Sequence, residues 1–258
     1  MITLLAESKT MSVHQEPIEE PLYLANRPVF ENTADEIMSY IASLSPSVIA
    51  DILGVSGQLA VKVHSLAYDF PHKLSGIKAI FGFTGEAFRG LKAMTLPEEA
   101  LERSQKNLRL ISSVYGLLNP FDIIKPYRFE FNKRATPDQK TSIQIYKPKV
   151  TIELVKQIKE NRVNDIIDLL PGDADKCIDW KIVRAFSSVH KICFQIMTPE
   201  GKLKTPIASR LKELRGKMAR MILLEDIRSF KELTEASHES FMFSPDDSKP
   251  GLPVFITD

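Results

Sequence analysis

The sequence predicts an α+β fold: a mixed β-sheet core covered by helices, with a helix-hairpin-helix-like element. Three observations carry this. Short apolar runs of strand length are intermixed with stretches of helical period along the whole chain. Gly54-Val55-Ser56-Gly57 separates two apolar helical stretches. No repeat, low-complexity segment or linker divides the chain. Its 258 residues suffice for a substantial core. We therefore expect a single domain over 1–258 with a helical insert at about 33–70.

The elements follow in order. Ile2 to Leu5 is an apolar run ending in the polar Ala6-Glu7-Ser8-Lys9-Thr10, which predicts a buried strand and a turn. Residues 11–33 hold prolines and acids without helical period and predict a long loop or arm. Thr33 with Glu36 has a capping-box pattern, and Ile37, Tyr40, Ile41 and Leu44 form a helical stripe behind it. Ser45-Pro46 opens the next helix, because proline suits the first helical position. Ile77 to Phe83 predicts a strand punctuated by Gly82 and Gly85. Pro97 to Val114 predicts an amphipathic helix stopped at Tyr115-Gly116. Residues 117–131 read as a loop and a short strand. Val150 to Asn161 predicts a helix, Asp165 to Leu170 a buried strand, and Val189 to Met197 a further strand turning at Pro199-Glu200-Gly201. Pro206 to Ile227 is a long basic helix, and Leu252 to Ile256 a closing strand. Trp180 is expected in the core.

Composition narrows the function classes. An apolar fraction of 43% and a charged fraction of 26% place the chain among ordinary globular proteins, not disordered ones. With 34 basic and 33 acidic residues the net charge is +1, so any polyanion site must be a local patch. Cys177 and Cys193 form no CxxC pair, and no zinc spacing links them to the scattered histidines. We expect no metal, no cofactor and reduced thiols. No apolar run has the length of a membrane span, and the opening residues do not fit a signal peptide. The expected location is the cytoplasm, without a membrane partner.

The segment Ile49 to Leu66 holds the first candidate site. Gly54 suits the positive φ of a tight turn. Val55 is placed to plug the gap between two helices, with Leu59, Ala60 and Val63 packing the second on the first. This resembles the helix-hairpin-helix motif of DNA-binding proteins, which offers backbone N–H groups to a phosphate and reads no bases. Ser56 stands where that motif usually has glycine, Gln58 where it often has a cation; Lys62 is the nearest cation. An ordinary αα-hairpin is the plain alternative.

Tyr115 to Glu130 is the second. Asp122, Lys125, Tyr127, Arg128 and Glu130 crowd together among apolar residues, and such loops often form sites. A buried structural ion pair is the competing reading. The long basic helix is the third: Lys212 and Arg215 share one edge, Arg210, Lys217 and Arg220 another, and Leu211, Leu214, Met218 and Met221 the apolar stripe. A solvated helix face is its plain reading. Lys9 at a strand end suits a phosphate contact or a mere turn, and no glycine-rich phosphate loop surrounds it.

The stretch Tyr115 to Glu130 resembles the YGLLxPxDxxxPYRxE signature of the YaaA family. Lys9-Thr10, the segment Phe81 to Leu91, the set Lys212, Arg215, Gly216, Met218 and Arg220, and Phe241-Met-Phe-Ser-Pro-Asp-Asp resemble further family motifs in the same order. The resemblance implies a cytosolic protein tied to peroxide stress through limitation of free iron. It also implies DNA binding, a mixed α/β fold, a basic cleft and a helix-hairpin-helix element. The chain departs from the pattern at Ala6-Glu7-Ser8, at Asn119, at Lys147-Pro148-Lys149 and at Asp168 to Ala174; the resemblance implies polar site groups at the last two of these places.

Three functions remain open at this level. In the first, the protein contacts double-stranded or bulged DNA without sequence preference through Gly54, Val55, Ser56, Gly57, Lys62, Arg128, Lys212, Arg215 and Arg220. In the second, Lys9, Tyr115, Asp122, Tyr127, Arg128 and Glu130 form the pocket of an enzyme acting on a nucleotide or nucleic acid. In the third, the chain is a non-catalytic scaffold.

Overall fold

The computed structural model describes residues 1–12, 27–72 and 76–257. Most of the arm expected over 11–33 lies outside them. The chain opens with β1 (Ile2–Ala6), buried at every residue. Three helices follow: α1 (Glu31–Ser43), α2 (Pro46–Leu53) and α3 (Gly57–Asp69). Helix α1 begins before the expected cap. Thr33 is buried inside its first turn, where its hydroxyl accepts from Lys149 Nζ at 2.6 Å. Ser45 caps α2 as expected, its side chain accepting from the Val48 N–H.

The expected strand over 77–83 is mostly helical: β2 (Ile77–Lys78) runs straight into α4 (Ala79–Gly82). Then come α5 (Glu86–Leu91) and α6 (Glu98–Asn107). The helix predicted to reach Val114 stops at Asn107. The next residues form β3 (Leu108–Ser112), a strand buried along its full length. Leu101, Leu108 and Ile111 keep a helical spacing across the boundary, and the charged Arg109 is buried in the strand, its Nε donating to Gln157 at 2.6 Å. Gly116 opens β4 (Gly116–Leu118) and is no helix cap, and β5 (Ile123–Ile124) follows.

Helix α7 (Ser142–Asn161) starts well before Val150, at a capping box between Thr141 and Gln144, and carries Pro148 inside it. Next are β6 (Asp165–Asp168), α8 (Gly172–Asp175) and α9 (Trp180–Val183). Trp180 is half-buried at the edge of the core, its Nε1 donating to Asp175 at 3.1 Å. The single strand expected over 189–197 is two: β7 (Ser188–Lys191) and β8 (Cys193–Met197), which join different sheets. The chain ends with β9 (Leu203–Lys204), α10 (Ala208–Leu224), α11 (Phe230–Glu235), β10 (Met242–Lys249) and β11 (Leu252–Thr257).

The main sheet has the order β4-β3-β1-β6-β7, in which all neighbours run parallel except β3 and β4. A second, mixed sheet has the order β10-β11-β8-β9. β2 and β5 pair as a small antiparallel ribbon. Helices cover these sheets, so the architecture is α+β with mixed sheets. One buried apolar cluster extends from β1 to β11 and takes in residues of α1, α2 and α3.

One contact sets the geometry of the site. Helices α5 and α10 cross backbone to backbone at Gly90 and Gly216. A Cβ on Gly216 would lie 1.7 Å from the Ala87 carbonyl oxygen, and one on Gly90 would lie 2.2 Å from that of Glu213. Only glycine permits this approach, and it fixes which face of α10 looks toward β1.

Candidate functional site

β1 lies between β3 on one side and β6 on the other, so the order of the parallel strands reverses around it. Ligand crevices of open parallel sheets form outside the carboxyl ends of strands at such a point. A cleft of about 670 Å3 lies here. Its floor is the end of β1 and the turn Glu7 to Thr10. Its walls are the start of α5, the segment Phe129 to Phe131, the turn Pro171 to Asp173, and Lys212 and Arg215 on α10.

Charge in the cleft is mostly paired. Lys9 Nζ meets Glu130 at 2.8 Å, and Arg128 donates to the Lys9 carbonyl at 3.2 Å. Arg89 meets Glu86 at 2.7 Å, and Asp173 meets Lys176 at 3.4 Å. Lys212 and Arg215 differ: among the described residues neither has an ion pair or a hydrogen bond. Arg215 is half-buried, and its guanidinium pKa is lowered by burial, opposed by the more distant charge of Asp168.

Glu7 is the group that reasoning from sequence missed. It is half-buried in the cleft floor and accepts a hydrogen bond from the Tyr127 hydroxyl. Tyr127 in turn meets Ser112 Oγ at 2.6 Å. Ser112 Oγ accepts from the Val114 N–H at 3.1 Å and from the Tyr115 N–H at 2.9 Å. Both lone pairs of Ser112 are thereby taken, so its proton goes to Tyr127 and the proton of Tyr127 goes to Glu7. Burial pushes the Glu7 carboxyl up to about 7, against the pull of Ser113, Tyr127 and Ser112. Burial also drives Tyr127 well above its ordinary value, with Glu7 adding to the shift. The one sequence signal was an acid at the end of an apolar strand, inside the departure Ala6-Glu7-Ser8.

The pocket expected for an enzyme is gathered only in part. Lys9 and Glu130 line the cleft, Arg128 braces Lys9, and Tyr127 lies beneath the floor. Tyr115 is buried behind Tyr127, ring centroids 5.7 Å apart, with its hydroxyl accepting from the Lys125 N–H at 2.9 Å. Asp122 is fully buried and ties a turn, accepting from the Asn119 N–H at 2.8 Å. Its carboxyl is pushed up to about 7 by burial, against the pull of the Asn119 hydrogen bonds.

The DNA-binding set divides as well. Lys212 and Arg215 face the cleft. Arg220 is turned away and donates to the carbonyls of Leu91 at 3.0 Å, Lys92 at 2.9 Å and Thr95 at 3.4 Å. It binds the end of α5, not the cleft. Gly54, Val55, Ser56, Gly57 and Lys62 lie elsewhere, at the α2–α3 connection. There Gly54 has φ 65° and closes α2, and Ser56 caps α3 by accepting from the Leu59 N–H at 3.4 Å. Gly54, Ser56, Gly57 and Lys62 are exposed, whereas Val55 packs partly against the core.

Among the described residues no group of His, Cys, Asp or Glu is arranged to hold a metal ion, and no single helix is long and apolar enough to cross a membrane. Fold and site together define an α+β protein with a charged cleft at the carboxyl edge of a largely parallel sheet. The family model described as peroxide stress protein YaaA matches residues 1–247. A UPF0246 protein of Shewanella sp. strain ANA-3 is 30% identical over 266 residues, covering 99% of this chain and 98% of that protein. UPF0246 proteins of Shewanella halifaxensis and Shewanella pealeana are 29% and 28% identical, at the same coverage of both chains. The chain belongs to the peroxide stress protein YaaA family.

Proposed function

We propose that this protein acts in the bacterial peroxide-stress response by binding DNA through backbone phosphates, without sequence preference, and so helps limit iron-mediated oxidative damage. The observation that carries the reading is the exposed tip between α2 and α3. Gly54 turns the chain, and Ser56 satisfies the Leu59 N–H. The N–H groups of Gly57 and Gln58, which open α3, have no acceptor among the described residues. Such a helix start suits a phosphate. Lys62 is exposed one turn further on. Asn132, Lys133 and Arg134 share a groove of about 440 Å3 with Asp51 and Ile52 of α2, which places further basic side chains near the tip.

Fluorescence polarisation with duplex and bulged DNA over a salt series tests this. The expected result is binding that weakens steeply with salt and is indifferent to sequence. Gly54→Val forces a β-branched residue into positive φ, and it is expected to abolish that binding while the protein stays folded by circular dichroism. No binding at low salt by the unaltered protein overturns the proposal.

A further inference from the structure

We propose that the cleft at the end of β1 is a binding site for a small phosphate monoester, with Arg215 and Lys212 holding the phosphate and Glu7 hydrogen-bonding the body of the molecule. This does not rest on the hairpin reading. It starts from charge. The cleft's other carboxylates, Glu86, Glu130 and Asp173, already have cation partners at 2.7 Å, 2.8 Å and 3.4 Å. Two cations, Lys212 and Arg215, are left without a carboxylate. An unpaired guanidinium held half out of water loses hydration without recovering it from the protein. A dianion restores the balance, and a phosphate also matches the planar fork of arginine.

Shape and polarity narrow the ligand further. A volume of about 670 Å3 fits a molecule the size of a mononucleotide. Phe129, Phe131, Leu169 and Pro171 give the walls apolar surface for its body. Glu7 lies in the floor, half-exposed to the cleft, where its carboxyl group can meet a polar hydrogen of the ligand. The preferred molecule thus carries phosphate at one end and an N–H or O–H at the other.

Calorimetric titration tests this with adenosine 5′-monophosphate, ribose 5-phosphate and inorganic phosphate. Adenosine, ribose and a short DNA duplex serve as the comparison set. The two phosphate monoesters are expected to bind and to raise the melting temperature, and the unphosphorylated pair is not. Arg215→Gln is expected to weaken the monoesters about ten- to a hundredfold, the usual worth of a charge-assisted contact. Arg215→Lys should restore part of that loss, which separates charge from folding. Failure of both monoesters at millimolar concentration overturns the proposal, and so does binding unchanged in Arg215→Gln. Binding of the duplex but of neither monoester, with the duplex binding lost in Arg215→Gln, overturns it too, and assigns the two cations to a nucleic-acid backbone. The hairpin variant Gly54→Val plays no part here, so the two proposals fail separately.

Discussion

The α2–α3 tip and the cleft are both candidate contacts for phosphate, yet they are built in opposite ways. The tip is local. Its turn, cap and exposed N–H groups come from adjacent residues, and a Cβ on Gly54 or Gly57 would meet nothing within 4 Å. The cleft is assembled from the end of β1, α5, the segment 129–131, the turn after β6 and α10. It exists only because α5 and α10 touch through Gly90 and Gly216. A local site tolerates change around it, whereas an assembled one depends on distant backbone positions.

The sharpest way to break this contrast is to add one methyl group to each region. Gly216→Ala places a Cβ 1.7 Å from the Ala87 carbonyl oxygen, with backbone and not a flexible side chain in the way. We expect a loss of at least ~3 kcal/mol in urea denaturation, or failure to fold, because overlap at a helix crossing forces the helices apart. Gly57→Ala adds its methyl to open space at a helix start without positive φ. It should raise stability by up to about 1 kcal/mol. Equal effects of the two substitutions would show that the α5–α10 contact is not the close one described.

The same contrast governs what was legible in the sequence. The turn between α2 and α3 was readable because Ser45-Pro46, Gly54 and Ser56 carry their instructions within a short window. Lys9 and Glu130 read as part of one candidate pocket and Lys212 and Arg215 as one edge of a basic helix; that all four line one cleft was not legible. Nothing local links Glu7 to Tyr127: the pairing of β1 with β3 brings Glu7 beside the end of β3, where Ser112 meets the Tyr127 hydroxyl. β3 itself was misread as helix because Leu101, Leu108 and Ile111 keep one helical spacing across the boundary. The break at Ile192 was invisible because no glycine or proline interrupts Val189 to Met197, and only sheet membership divides β7 from β8.

Protonation of Glu7 gives the second prediction. Its folded pKa is raised to about 7 by burial, whereas the unfolded chain has the ordinary value of about 4.3. Between these values the native state holds more protons than the unfolded state, so stability falls as pH rises through that window and levels off above it. The cost above pH ~7 is at most about 4 kcal/mol, less whatever solvent reaches the half-buried group. Glu7→Gln keeps a polar partner for Tyr127 and cannot ionise. Denaturation at a series of pH values should show the variant gaining on the parent protein from pH ~4.3 to ~7. The residues facing Glu7 are Tyr127, Ser112 and Ser113, with Tyr146 and Cys177 in its field. The phenols and the thiol are raised, so none ionises in this window. A stability difference independent of pH would remove Glu7 from the titrating groups. A matching experiment at the hairpin has no counterpart, because no carboxylate is buried at its tip.

The smallest effect separates two cations that both entered the DNA-binding set from the sequence. Arg220 is five positions beyond Arg215, about 140° round the helix, so the two cannot face the same cleft. Its guanidinium serves the carbonyls that end α5, including Leu91 at 3.0 Å and Lys92 at 2.9 Å. Arg220→Ala should therefore cost about 1–3 kcal/mol in thermal or urea unfolding, the usual range for hydrogen bonds to a charged group. Lys62 is exposed and unpaired on α3. Lys62→Ala should leave stability within about 0.5 kcal/mol but lower the salt slope of DNA binding by about one. The opposite pattern, a stable Arg220 variant with a flattened salt slope, would require Arg220 to leave α5 on binding. It would then join the tip and the cleft into one phosphate track, and the division between a local and an assembled site would no longer hold.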